Sequence, residues 1–248
     1  MIFLRSLLFN AVFFAVTLVL SLYGFVLRFV APHRLIDDAR LWSRIMIAAA
    51  RLICGIHVRV RGLENLPPGQ PVLIASQHQS AFDTMVWFGL ASYPVYVLKK
   101  QLLKIPVFGP LLPLTGMIPV DRDGGMASLR NLVSASLEAA SLNRQIVIFP
   151  EGTRTDPGVE VPLHPGIYAV ASKTGLPIVP VTTNSGLFWG RRAFRKYPGT
   201  INVDIHPPLS PGSRAVTMEA LRSLYHRAGN DIATFVHTSE RAVDKSVV

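Results

Sequence analysis

Residues 146–155 read I-V-I-F-P-E-G-T-R-T. A short apolar run predicts a strand over Ile146 to Phe149, and Pro150 ends it abruptly. Its tip then holds out a carboxylate (Glu151), a flexible glycine (Gly152), a hydroxyl (Thr153) and a fixed positive charge (Arg154). Gly152 permits a tight turn and close approach by a ligand, and Arg154 suits a phosphate gripped through two parallel N–H donors. Glu151 is the odd member, because a carboxylate repels a phosphate. It is expected to hydrogen-bond a substrate hydroxyl or to steer Arg154. The plainer alternative is a surface turn in which Glu151 and Arg154 pair with each other.

Working outward from this strand, the chain from His57 onward alternates short β-rich runs with helical stretches and turn residues. Further strands are expected at His57 to Arg61, Val72 to Ala75, Val95 to Leu98, Met117 to Val120, Ile178 to Thr182 and Ile201 to Ile205. Leu129, Leu132, Val133, Ser136, Leu137 and Ala140 follow the i, i+3, i+4 rhythm of a helix facing a sheet, with Asp123 placed to cap it. A last helix is expected from Thr217 towards Val236. No internal repeat or low-complexity tract interrupts this pattern. It predicts an α/β fold with a mixed, largely parallel sheet flanked by helices, and with active groups at the strand tips.

A second tip carries chemistry. After V-L-I-A the chain reads S-Q-H-Q-S-A-F-D, with His78 at the strand exit and Asp83 in the first turn of the next helix. A histidine, with an intrinsic pKa of roughly 6.5, accepts a hydroxyl proton near neutral pH when a carboxylate fixes its tautomer. His78 and Asp83 thus form a candidate base and orienter, as in hydrolytic triads. The plainer reading is an Asp83 that caps its helix beside an exposed His78. Ser76 and Ser80 flank the histidine, but neither sits in a G-x-S-x-G elbow that would mark a nucleophile. No metal site is expected, since His78, His164 and His206 are scattered without ligand spacing.

Half of the 248 residues are hydrophobic and only 16% are charged, which is greasier than a soluble enzyme requires. The formal charge is +10, mostly from arginine, so anionic partners are expected. Without a basic stripe interleaved with aromatics or a reading module, nucleic acid is not among them. The single cysteine, Cys54, rules out an intrachain disulfide and a cysteine-based zinc site. The apolar residues concentrate at the N-terminus, where Ser6 to Leu27 is uncharged between Arg5 and Arg28. As a helix this stretch is roughly 33 Å long, comparable with a bilayer core. A second stretch, Leu41 to Ile56, carries Arg44 and Arg51 on one face. Residues 1–56 are therefore expected to form a membrane-associated helical hairpin ahead of an α/β domain at 57–248, the plainer alternative being a hairpin buried in the core. The first helix either spans the bilayer or dips into it. If it spans, the arginines after it put the rest of the chain in the cytoplasm, at the inner membrane.

Taken together, the motifs resemble those of a known family. Q-H-Q-S-A-F-D is similar to the N-H-x-x-x-x-D motif, and F-P-E-G-T-R-T to the F-P-E-G-T-R-S motif, of the glycerolipid acyltransferases, specifically the 1-acyl-glycerol-3-phosphate acyltransferases. Gly116-Met117-Ile118-Pro119-Val120-Asp121-Arg122 resembles the family's G-x-x-x-x-D-R block, and Leu176-Pro177-Ile178-Val179-Pro180-Val181 its V-P-I-V-P-V block. The resemblance implies transfer of a fatty acyl group from acyl-CoA or acyl carrier protein to the sn-2 hydroxyl of lysophosphatidic acid, without a metal or redox cofactor. It implies His78 as base, Asp83 as its orienter, Glu151, Gly152, Thr153 and Arg154 as acceptor site, Arg122 as a second phosphate contact and Lys99 as an oxyanion partner.

Three departures stand out: Gln77 replaces the usual Asn, Gln101 a common Glu, and Leu163-His164-Pro165-Gly166 lacks a frequent lysine. The run Asn184 to Arg192 mixes aromatics with positive charge; it suits contact with a nucleotide-bearing donor or the membrane surface, or equally a solvated basic loop with its aromatics in the core, and is given no site. Two other readings remain open. One is an acyltransferase for a different lyso-lipid, such as a lyso-ornithine lipid or a lysophospholipid. The other is a non-catalytic lipid-binding protein.

Overall fold

The expected strands form, with bounds shifted by a residue or two. In the computed structural model, which describes residues 1–121 and 124–244, they are β1 (Ile56–Arg61), β2 (Leu73–Ser76), β3 (Pro94–Lys99), β4 (Ile118–Val120), β5 (Gln145–Ile148), β6 (Ile178–Thr183) and β7 (Gly199–Ile205). They join in one sheet of order β1-β7-β6-β2-β5-β3-β4. From β6 to β4 every neighbouring pair is parallel, whereas β7 runs antiparallel to β6 and carries β1 parallel to itself. The sheet is mixed and largely parallel, as the alternation of strands and helices predicts.

Side chains alternate across a strand, so the central strands feed two apolar layers. Ile74, Val147 and Val179 pack on one face with Phe9, Met46 and Trp87. Leu73, Ile146 and Ile178 pack on the other with Leu132, Ile167 and Leu221. Because β2, β5 and β6 are covered on both sides, each reads as an unbroken buried run without in-out alternation.

Two N-terminal helices, α1 (Ile2–Val30) and α2 (Leu35–Ala49), belong to the first face, with α2 continued by a π-helical turn at Ala50–Cys54. The remaining helices are α3 (Asp83–Leu90), α4 (Leu111–Leu114), α5 (Gly125–Ser141), α6 (Gly166–Thr174), α7 (Ser185–Phe188) and α8 (Arg214–Asp244). The expected cap of α5, Asp123, lies outside the described residues. Two boundaries differ from expectation. Helix α2 starts at Leu35 and not at Leu41, because Asp37 and Asp38 sit in its first turn, where acidic groups complement the helix dipole. Helix α8 starts at Arg214, ahead of Thr217, and ends beyond Val236.

Helix α1 is held along its length. Ser6 and Phe9 are fully buried, and the Phe9 ring meets Trp189 edge-on at 5.0 Å. The Trp42 indole N–H donates to Thr17 Oγ1 at 2.9 Å. Near the far end Leu27 packs with Leu35 and Leu111. Ser6 and Leu27 are about 30 Å apart along such a helix, so one stripe of α1 lies against the domain flank throughout. The opposite stripe stays bare: Phe14, Leu18, Val19, Val26 and Phe29 are all exposed. The hairpin thus shares the core of the sheet on one side and presents apolar surface on the other.

This asymmetry gives a test of α1 docking. Phe9→Ala should lower the stability of detergent-solubilised protein by about 3 kcal/mol, the lower range for a buried Phe→Ala change. Phe14→Ala, at a site 69% exposed, should leave the unfolding midpoint unchanged.

Candidate active site

Parallel pairing of β2 with β5 brings the two tips to the same edge of the sheet, with Ala75 level with Ile148. Beyond Ser76 the β2 tip places His78 Nδ1 3.3 Å from Asp83 Oδ2. That oxygen also accepts the backbone N–H groups of Gln79 and Ser80, each at 2.7 Å. Asp83 makes no capping hydrogen bond to α3 and is only 2% exposed, so the helix-cap alternative is not the one that forms. Three donors fix the carboxylate, and the carboxylate fixes the ring. The imidazole also stacks on Phe149, with centroids 4.1 Å apart and planes inclined by 20°. With Nδ1 turned to Asp83, Nε2 is the nitrogen left to meet a substrate. The neighbouring serines are turned to other work: Ser76 Oγ donates to the Gln77 carbonyl, and Ser80 Oγ accepts the Phe82 N–H.

The β5 tip grips the β2 tip through main chain. Glu151 Oε1 accepts the His78 N–H at 3.2 Å, and the Thr155 N–H donates to the His78 carbonyl at 2.8 Å. Gly152 turns the chain between them with φ of 67°, a region that side chains with a Cβ avoid. Glu151 is 7% exposed, and its Oε2 has no hydrogen-bond partner among the described residues. Burial pushes its carboxyl up to about 8, with the Asp83 charge adding to the rise and the hydrogen bonds from backbone N–H opposing it. A mostly protonated Glu151 at neutral pH carries little charge with which to repel a phosphate. It forms no ion pair with Arg154 among the described residues, so the simple surface-turn alternative does not form.

Arg154 is half-buried. Burial lowers its pKa; the Asp83 carboxylate acts in the opposite sense, and the charges of Arg191 and Arg192 add to the lowering. The next residue, Thr155, donates its N–H to the His78 carbonyl, so the Arg154 backbone runs beside the His78 loop. Thr153 lies beside it, partly exposed. Lys99 ends β3, which pairs with β5, so its backbone stands two strands from that of β2, about 10 Å by ordinary strand spacing. Arg122 lies outside the described residues.

Sequence reading missed a third tip. Strand β6 is the other hydrogen-bonded neighbour of β2, and its exit carries Asn184 to Arg192. Gln77 Oε1 accepts the Thr183 N–H and Gln79 Oε1 accepts the Gly186 N–H, both at 3.1 Å. Arg191 Nη1 then reaches the Arg154 carbonyl at 3.1 Å. The available signal was a pair of adjacent arginines after a strand exit; the order of strands, which gives it meaning, is not written locally.

Comparison with known proteins agrees with this geometry. The family model described as Acyltransferase matches residues 57–184, just over half of the chain. The chain belongs to the acyltransferase family. Its relatives include a 1-acyl-sn-glycerol-3-phosphate acyltransferase of Pseudomonas aeruginosa, 37% identical over 77% of this chain and 74% of that protein. Proteins of the same name from Limnanthes douglasii and, as the alpha form, from mouse are 30% and 31% identical over 72% and 67% of this chain. These matches span 64% and 60% of the plant and mouse proteins. The crystal structure of the 1-acyl-sn-glycerophosphate (LPA) acyltransferase PlsC from Thermotoga maritima has the same fold, with a TM-score of 0.75 at 20% identity over 94% of this chain and 98% of that one.

The buried acid of this acyltransferase gives a pH prediction. A carboxyl raised from 4.5 to about 8 on folding binds more protons in the folded state, so its stability contribution is full below pH 4.5 and is lost as pH rises through 8. Asp38 is raised in the same sense, to about 6, so the informative quantity is the difference between two proteins. Glu151→Gln keeps an acceptor for the His78 N–H. Thermal unfolding from pH 5 to 8.5 should show a smaller loss of midpoint with rising pH in Glu151→Gln than in the wild type.

Proposed function

We propose that this acyltransferase moves a fatty acyl group from an acyl thioester, carried on coenzyme A or acyl carrier protein, to the sn-2 hydroxyl of lysophosphatidic acid, forming phosphatidic acid. The observation that carries this reading is the imidazole of His78, oriented by Asp83, on the sheet edge that also bears Arg154. The names of the relatives point the same way.

In the proposed step Nε2 of His78 takes the hydroxyl proton as the oxygen attacks the thioester carbonyl. The tetrahedral oxyanion collapses, the carbon–sulfur bond breaks, and the departing thiolate receives a proton from the imidazolium. A thioester is already activated, so deprotonation, alignment and oxyanion stabilisation suffice without a metal or redox cofactor. Asp83 holds the ring and stabilises its charged form. Gly152, Thr153 and Arg154 receive the acceptor headgroup, with Arg122 as a second phosphate contact and Lys99 facing the oxyanion. Glu151 braces the His78 main chain and, as a neutral acid, offers Oε2 to the acceptor side.

The bare stripe of α1 suits a lipid partner. Since α1 touches the domain from Ser6 to Leu27, a perpendicular crossing would submerge the domain flank along with it. We therefore favour a helix that dips into one leaflet at the cytoplasmic face of the inner membrane, with the exposed Arg44 and Arg51 of the second helix at the lipid headgroups.

Purified protein given lysophosphatidic acid and an acyl thioester should form phosphatidic acid. His78→Ala should lower the rate by roughly 10²- to 10⁴-fold, the range for a lost general base, with the unfolding midpoint retained. Arg154→Ala should chiefly raise KM for the acceptor. A rate untouched by His78→Ala would point to a non-catalytic lipid binder. Equal use of acceptors lacking the phosphomonoester would point to another lyso-lipid.

A further inference from the structure

We propose that Arg191 and Arg192 join Arg154 in one phosphate-binding site, so that three guanidiniums on the tips of β5 and β6 grip a phosphate group of a substrate. The inference rests on the acyl-transfer reading above and extends its anion site to a loop outside the recognised motifs.

Topology supplies the first argument. Strand β2 lies between β5 and β6, all three parallel, so the β6 tip flanks His78 on the side opposite Glu151. Hydrogen bonds fasten that tip in place. Gln77 and Gln79, the residues on either side of His78, hold the amides of Thr183 and Gly186, and Arg191 crosses to the Arg154 carbonyl. The His78 loop is thereby tied to amides of the β6 tip, and Arg191 ties that tip to the β5 tip.

Charge supplies the second. Arg154 feels the positive charges of both Arg191 and Arg192. Among the described residues no acid forms an ion pair with any of the three. Gathering like charges at one spot raises the energy of the empty protein, whereas a phosphate dianion reverses the sign of each interaction. Arg192 also holds a left-handed backbone, with φ of 55°. Such a backbone is unfavourable for a residue with a Cβ. The Asp83 carboxylate offsets part of this crowding of positive charge, and a bound phosphate would add to that effect.

The third argument is anchorage. Four residues beyond Arg192, Lys196 is 4% exposed, and its ammonium donates to Asn10 Oδ1 of α1 at 2.6 Å. Its backbone N–H donates to Ser6 Oγ at 2.9 Å, and its ammonium lies within 5.6 Å of the Phe9 and Trp189 ring centres. The loop that offers Arg191 is therefore pinned to the helix with the exposed apolar stripe. Both arginines are exposed, and Arg191 holds its place through the Arg154 carbonyl.

Two substrates bring phosphate to this edge: the acceptor, with its phosphomonoester, and a coenzyme A donor, with its nucleotide phosphates. The test uses the His78→Ala protein, so that binding is read without turnover. Calorimetry would measure lysophosphatidic acid against monoacylglycerol in the same micelles, and adenosine 3′,5′-bisphosphate against adenosine. The expected result is that Arg191→Gln with Arg192→Gln weakens one phosphate-bearing probe by tenfold or more and leaves its phosphate-free partner and the unfolding midpoint unaltered. Loss confined to lysophosphatidic acid assigns the site to the acceptor, and loss confined to the bisphosphate assigns it to the donor. Unchanged affinity for both probes, no binding of either, or equal weakening of the phosphate-free compounds overturns the proposal. Turnover by protein with intact His78 is a separate assay that judges the acyl-transfer reading alone.

Discussion

Both polar groups of the His78 main chain are taken by one loop: its N–H goes to Glu151 and its carbonyl receives Thr155. This clasp between neighbouring strand tips is the constraint on which the site depends. Asp83 and the β6 tip hold the rest of the β2 exit, and the clasp fixes the His78 backbone between them. With it, the ring has one neighbour at Nδ1, an aromatic plane below, and a defined direction for Nε2. The clasp needs a buried carboxyl, and burial keeps that carboxyl mostly protonated at neutral pH, so the brace brings little negative charge to the edge that bears Arg154. A nucleophile-free transfer from an activated thioester asks for little more than this geometry.

The fold supports the clasp from beneath. Buried, parallel β2 and β5 set the two tips at one level, and their alternating side chains tie the sheet to helices on both faces. The N-terminal helices form part of that support, because Phe9 and Met46 share a cluster with Ile74, the residue two positions before Ser76. The helix with the exposed apolar stripe and the His78 tip are thus joined through one core, with Lys196 adding a polar link from α1 to the β6–β7 connection.

Much of this was legible in the sequence because the information was local. Unbroken apolar runs marked the central strands β2, β5 and β6, alternating β-rich runs marked β1 and β7, and the His78 and Glu151 tips stood out by their polar residues. The His78–Asp83 pair could be read from spacing once the helix start was placed near Asp83. The start of α2 was misplaced because Asp37, Asp38 and Arg40 broke the apolar run while favouring the helix. What lay out of reach was strand order. Nothing in residues 184–192 states that they return beside residues 77–79; only the hydrogen bonds of β6 with β2 do. The state of Glu151 was hidden for the same reason, since its protonation follows from burial by residues far away in the chain.

The account stands on the convergence of His78 and Arg154 upon one small molecule. The most direct measurement is a crystal structure of the His78→Ala protein with lysophosphatidic acid bound. The account predicts the sn-2 hydroxyl next to the vacated imidazole position and the phosphate within hydrogen-bond distance of the Arg154 guanidinium. A headgroup bound with its phosphate remote from Arg154, or with its hydroxyl turned away from residue 78, would contradict it.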